Sequence, residues 1–103
     1  MKTADLVFDR SYINGEWVTA GNATFEVINP ASGEVLARVA DGGAVLTEKA
    51  IRAAENTFVY WRKTTAKHRS IILEKWNDLI LENAAKLAEI MTLECGKPLK
   101  ESI

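Results

Sequence analysis

The chain has 103 residues, 48% of them hydrophobic and 26% charged, with a formal net charge of −1. That length allows one small domain, and the near-neutral balance gives no electrostatic reason to expect nucleic acid or an anionic membrane as partner. One cysteine and one histidine exclude an internal disulfide and a zinc site built from this chain alone; no stretch has the apolar run of a signal peptide or a bilayer span, so a reducing, cytoplasmic compartment is expected.

The first element is a hairpin. Tyr12-Ile13 and Glu16-Trp17-Val18 flank Asn14-Gly15, a dipeptide that tolerates the positive φ angles of a type I′ turn. Gly21-Asn22 is a second break, and Asn22-Ala23-Thr24 matches the N-glycosylation pattern, read as chance without a secretion signal. Thr24 to Ile28 alternates, with Phe25 and Val27 on one face and Glu26 on the other. Asn29-Pro30-Ala31-Ser32-Gly33 is turn chemistry. Glu34 to Val39 alternates again, with Val35, Ala37 and Val39 together. Two antiparallel β-ribbons follow, at about residues 12–39, the second the longer.

Asp41-Gly42-Gly43 closes the β part. Thr47 is placed to cap a helix and Glu48 to suit its dipole. Ile51, Ala54, Phe58 and Trp61 follow at steps of three and four, a stripe expected to be buried. Arg62-Lys63 suits the negative end of that helix. Thr65 is the cap of the next, whose stripe is Ile72, Leu73, Trp76, Leu79 and Ile80. Asn83 marks a kink or a fresh cap, and Leu87, Ile90 and Met91 continue the apolar face. Gly96 stops the helix and Pro98 suits the first turn of another. The helices thus run from about residue 47 to 96, with a further one from 98 that has only begun at Ile103. An isolated helix of one turn is marginal in water, so the chain is expected to be a fragment of a longer protein.

Catalytic signatures are sparse. No G-x-G-x-x-G occurs, and Met91 stands where a phosphate loop ending in Gly96-Lys97 needs its first glycine. No serine lies in a nucleophile elbow. His68, in the first turn of a helix, reads as solvated or capping. Arg62, Lys63, Lys67 and Arg69 lie among acidic residues and read as a solvated face. Trp17, Trp61 and Trp76 fall on a strand or on apolar stripes and read as core anchors. Cys95 closes a helix, where the dipole disfavours a thiolate; Lys97 acts in the opposite direction, and packing is preferred over reactivity.

Taken in order, YINGEWV, FEVINPASGEVLARV, the run ending in YWRKTTAKHRS, and IMTLECGKPLKES resemble the N-terminal region of the NAD(P)-dependent aldehyde dehydrogenase superfamily. The resemblance runs from about Tyr12 to the end. The form MTLE-x-GKPLxE with INGEW upstream looks most like the succinate-semialdehyde dehydrogenase branch. It implies an α+β fragment of a larger α/β fold, with antiparallel ribbons followed by helices, from an enzyme of roughly five times this length. It also implies oxidation of an aldehyde, here succinic semialdehyde, to its carboxylate. A cysteine thiolate attacks, hydride passes to NAD or NADP, and a glutamate helps water to hydrolyse the thioester.

The family's nucleophile, its ELGGK glutamate and its proline-tryptophan-asparagine motif all lie downstream of this region. No catalytic or cofactor-binding residue therefore carries over, and Cys95 aligns with the variable position of LE-x-GKP. One site does carry over through the resemblance: a structural monovalent cation held by the backbone carbonyls of Val27 and Ile28 and by Glu94, with hard oxygen donors that suit it. His68 stands where the family often has glutamate, so the capping box opened by Thr65 lacks its reciprocal carboxylate. The expected partners are the remainder of the dehydrogenase chain and sister subunits, without nucleic acid or membrane, and the chain alone is expected to be inactive. Two other readings remain open. One is a non-catalytic helical module that binds dehydrogenase subunits through its apolar stripes. The other is a thiol redox sensor at Cys95.

Overall fold

A computed structural model describes residues 4–103. Met1–Thr3, the start of the stretch read as lacking a signal peptide, lie outside the described residues. A 3-10 turn at Ala4–Leu6 leads into β1 (Ser11–Ile13) and β2 (Glu16–Val18), paired antiparallel with Tyr12 opposite Trp17. Asn14 has φ +51° and Gly15 φ +79°, the pair of left-handed residues that a type I′ turn needs. The ring of Phe8 stacks on Trp17 at 4.5 Å, and Tyr12 lies tilted beside it at 4.9 Å.

The second ribbon is longer, as its alternation predicts. β3 (Thr24–Ile28) pairs antiparallel with β4 (Val35–Ala40). Glu26 faces Arg38 in the ladder and forms an ion pair with it. The register steps between Val27, opposite Ala37, and Ile28, opposite Val35. Leu36 is the extra residue of a β-bulge, a feature that bends a strand and raises its twist.

Four helices follow: α1 (Gly43–Trp61), α2 (Ala66–Glu82), α3 (Ala84–Cys95) and α4 (Leu99–Ser102). α1 begins four residues before Thr47, which is not its cap. The Thr47 hydroxyl donates to the Gly43 carbonyl at 2.7 Å from inside the helix, and Glu48 pairs with Arg52 one turn on. The true start is set by packing. Leu46 folds back over Gly42 so closely that a Cβ there would lie 2.9 Å from the Leu46 Cβ; only glycine leaves room for that contact. Thr65 does cap α2, accepting from the His68 backbone N–H at 3.1 Å.

Asn83 serves both adjoining helices, as the C-cap of α2 and the N-cap of α3. Its side-chain amide donates back to the Leu79 carbonyl at 2.8 Å and not forward into α3. Gly96 ends α3 with φ +73°, its N–H on the Thr92 carbonyl, an αL stop. Pro98 stands at the N-cap of α4, one place ahead of its first turn.

The apolar stripes are helical but not buried. Among the described residues the buried apolar side chains are Leu46 and Ala88. Trp76 is 62% exposed, Leu73 58% and Phe58 57%, and Trp17 and Trp61 are exposed as well, so none of the three tryptophans anchors a core here. The periodicity fixed which face is apolar; no packed layer covers it within this chain. Total exposed area is 8168 Å², against about 5,800 Å² for a compact monomer of this mass. The radius of gyration is 16.7 Å, against about 13 Å.

Candidate functional site

Two of the four sequence stretches that carry the resemblance meet in space. The turn after β3 is built by Asn29: its Oδ1 accepts from the Ala31 N–H at 2.9 Å, its N–H donates to the Glu34 carbonyl at 2.9 Å, and its carbonyl accepts from Gly33 at 2.8 Å. This fixes Pro30 at the tip. A Cβ on Gly96 would lie 3.0 Å from the Pro30 Cγ, so the proline ring packs directly on the helix stop.

Alongside that contact, Leu36, Ala37, Ile90, Leu93, Glu94 and Val7 line one small cleft. Ala37 is the ladder partner of Val27. The bulged end of the ribbon and the last turn of α3 therefore form one junction, with Glu94 exposed on it. Among the described residues no three histidine, cysteine or acidic side chains gather as a metal-binding group. A cation here would draw on main-chain oxygens together with the single carboxylate.

Cys95 is the last residue of α3. It is exposed, and its thiol donates to the Met91 carbonyl at 2.8 Å, one turn back. That hydrogen bond turns the sulfur back along α3 toward the carbonyl end of its own helix. Beyond Gly96, the Thr92 and Ser102 hydroxyls hydrogen-bond at 2.9 Å and tie α4 back onto α3.

The other candidates are engaged locally. The His68 ring meets Trp61 edge-on at 6.4 Å. The Arg62 guanidinium lies 5.9 Å from the centre of the Phe58 ring. Arg69 donates to the carbonyl and hydroxyl of Thr64, closing the α1–α2 corner. Among the described residues no helix is long and apolar enough to cross a membrane.

One tie had no signal in the sequence. Lys86 on α3 reaches Asp5 in the N-terminal turn at 2.9 Å. That hydrogen bond from the ammonium holds the Asp5 carboxyl below its ordinary value, with the Lys86 charge adding to it. The partners are 81 positions apart, and neither sits in a recognisable motif. The cluster of Phe8, Tyr12 and Trp17 was equally hidden, since Phe8 lies outside any periodic element.

Residues 17–103 match the aldehyde dehydrogenase family. The chain is 47% identical to the glutarate-semialdehyde dehydrogenase of Pseudomonas putida, covering 99% of this chain and 22% of the relative. It superimposes on the crystal structure of succinate-semialdehyde dehydrogenase from Burkholderia pseudomallei with a TM-score of 0.92 at 47% identity, covering 99% of this chain and 21% of that one. A betaine aldehyde dehydrogenase double mutant from Staphylococcus aureus, solved in complex with NAD+, gives a TM-score of 0.92 at 37% identity, with 99% and 21% covered. The chain thus spans about a fifth of the length of these proteins.

Proposed function

The chain belongs to the aldehyde dehydrogenase family, and from that premise we propose that it is the N-terminal segment of an NAD(P)-dependent enzyme that oxidises succinic semialdehyde to its carboxylate. The observation that carries this reading is the junction between the Asn29–Gly33 turn and the α3 stop. It unites two of the four sequence stretches of the resemblance, within a backbone that follows a succinate-semialdehyde dehydrogenase over 99% of its length. The substrate class draws support from relatives named for glutarate and succinate semialdehyde. Both are aldehydes that carry a distal carboxylate. The NAD+ in the Staphylococcus aureus structure supports a nicotinamide cofactor for the full-length enzyme.

In this reading the segment is scaffold. Cys95 keeps its thiol on the Met91 carbonyl, and the chemistry belongs to other parts of the polypeptide. Val27, Ile28 and Glu94 are proposed to hold a structural monovalent cation at the ribbon–α3 junction, where their oxygen donors match a hard ion. The partners are the rest of the dehydrogenase and its sister subunits, which would cover the apolar faces of α1 and α2. The purified chain, assayed with succinic semialdehyde and NAD+ or NADP+, is expected to show no turnover. Turnover at enzyme-like rates would defeat the scaffold reading.

A second reading rests on the same exposed faces: a non-catalytic module that associates with dehydrogenase subunits in trans. Co-migration with a full-length family enzyme at micromolar concentration would favour it, and separate migration would count against it.

A further inference from the structure

We propose that Asn14 is a site of spontaneous covalent modification, losing its side-chain amide through attack by the Gly15 backbone nitrogen, and that the hairpin turn sets the rate. In this reaction the amide nitrogen of the following residue gives up its proton and attacks the asparagine Cγ. The new N–C bond closes a five-membered imide, the Cγ–Nδ2 bond breaks, and Nδ2 takes up a proton and leaves as ammonia. Water then opens the imide at either carbonyl, leaving aspartate or isoaspartate. No electrons change hands, and water is the sole co-reactant.

The requirements are an exposed asparagine, a following residue without a side chain to obstruct closure, and an attacking nitrogen that is not held elsewhere. Asn14 and Gly15 are both exposed, and the space where a Gly15 Cβ would stand is open. Among the described residues no backbone acceptor holds the Gly15 N–H.

Each other asparagine fails one requirement. The N–H after Asn22 belongs to Ala23 and is bonded to the Ala20 carbonyl at 3.1 Å. The residue after Asn29 is Pro30, which has no N–H. Asn56 and Asn77 lie inside α1 and α2, where the following amides belong to the helical ladder. Asn83 is half-buried, with its side-chain amide on the Leu79 carbonyl, and is followed by Ala84, whose side chain obstructs closure.

The site also has a built-in restraint. Closing the imide turns the Asn14–Gly15 peptide plane out of its type I′ setting, so the turn must open first. The two products then differ in effect. Asn14 lines a groove against α1 together with Glu16, Lys49 and Arg52, and a new aspartate carboxylate there adds a negative charge to a groove that holds both signs without altering the backbone. Isoaspartate inserts a methylene into the backbone of a two-residue turn. It thereby breaks the register that sets Tyr12 opposite Trp17, because loop length fixes hairpin register.

The test is to incubate the whole chain at mildly alkaline pH and physiological temperature, native and in parallel in concentrated urea, and then digest with trypsin. Cleavage after Arg10 and Arg38 releases Ser11–Arg38, a single peptide that carries Asn14, Asn22 and Asn29. The expected result is the amide-to-acid mass gain at Asn14 alone, split into two chromatographically distinct species of equal mass, and reached several-fold faster in urea. Conversion of Asn22 as fast as Asn14 in the native chain would overturn the proposal. So would an intact Asn14 in the native chain after the time in which the urea sample converts fully, or equal rates in the two conditions.

Discussion

Gly96→Ala tests the junction on which the functional reading rests. Two costs add at this position. The backbone sits at φ +73°, and an alanine forced there costs about 1 kcal/mol from contact between its Cβ and the carbonyl. The new Cβ also arrives 3.0 Å from the Pro30 Cγ; the proline ring is at the surface and yields by a few tenths of an ångström, so the overpacking cost falls at the low end, about 1 kcal/mol. The sum is ~2 kcal/mol. Gly21→Ala provides the subtraction. Its φ is +62°, and nothing lies within 4 Å of the Cβ position, so it bears the backbone cost alone, about 1 kcal/mol. Urea unfolding of the parent and the two variants, followed by far-ultraviolet circular dichroism, measures both as midpoint shifts at constant slope. Gly96→Ala should shift the midpoint about twice as far as Gly21→Ala. Equal shifts would refute the Pro30–Gly96 contact, and with it the packing of the Asn29–Gly33 turn on α3.

Thr65→Ala removes the one side-chain cap of α2 and should cost about 1 kcal/mol, with Thr65→Ser recovering most of it in the same urea assay. Lys86→Ala should raise the Asp5 carboxyl pKa, read by NMR titration, since the Lys86 hydrogen bond is what lowers it. The folded value lies below the unfolded one, so the stabilisation is complete above the ordinary carboxylate pKa and is lost as pH falls through the lowered value. The exposed helical faces predict a shallow urea slope. The unfolded chain exposes about 16,500 Å², and with 8168 Å² still exposed when folded the slope should be about four-fifths that of a compact domain of equal mass. A full slope would mean that the stripes pack in solution.

Sequence reasoning reached furthest where a local rule decides the outcome. Asn14-Gly15 fixed the first turn, Thr65 the start of α2 and Gly96 the end of α3, because each depends on the conformational limits of one or two residues. The start of α1 was misplaced because Thr47 has capping chemistry whereas Gly42 has none. The deciding contact, Leu46 on Gly42, is a packing event that leaves no mark in a propensity scale. The β-bulge at Leu36 and the Asp5–Lys86 tie are tertiary in the same sense, since each depends on where distant segments meet.

The buried stripes of α1 and α2 are the instructive error. A period of three and four says that one face of a helix avoids water, but it leaves open which segment provides the shelter. Ile51, Phe58, Leu73 and Trp76 keep their spacing and remain exposed, so the spacing identifies the apolar face without identifying what covers it. The Cys95 region differs, because its neighbours are in the chain: Gly96 stops α3, Pro30 covers the stop, and the thiol turns back to Met91. This stretch is thus built into a junction whose two sides both lie in the chain. In this chain the proline ring of Pro30 fits against Gly96, and Cys95, between Glu94 and Gly96, is exposed and leaves that fit undisturbed.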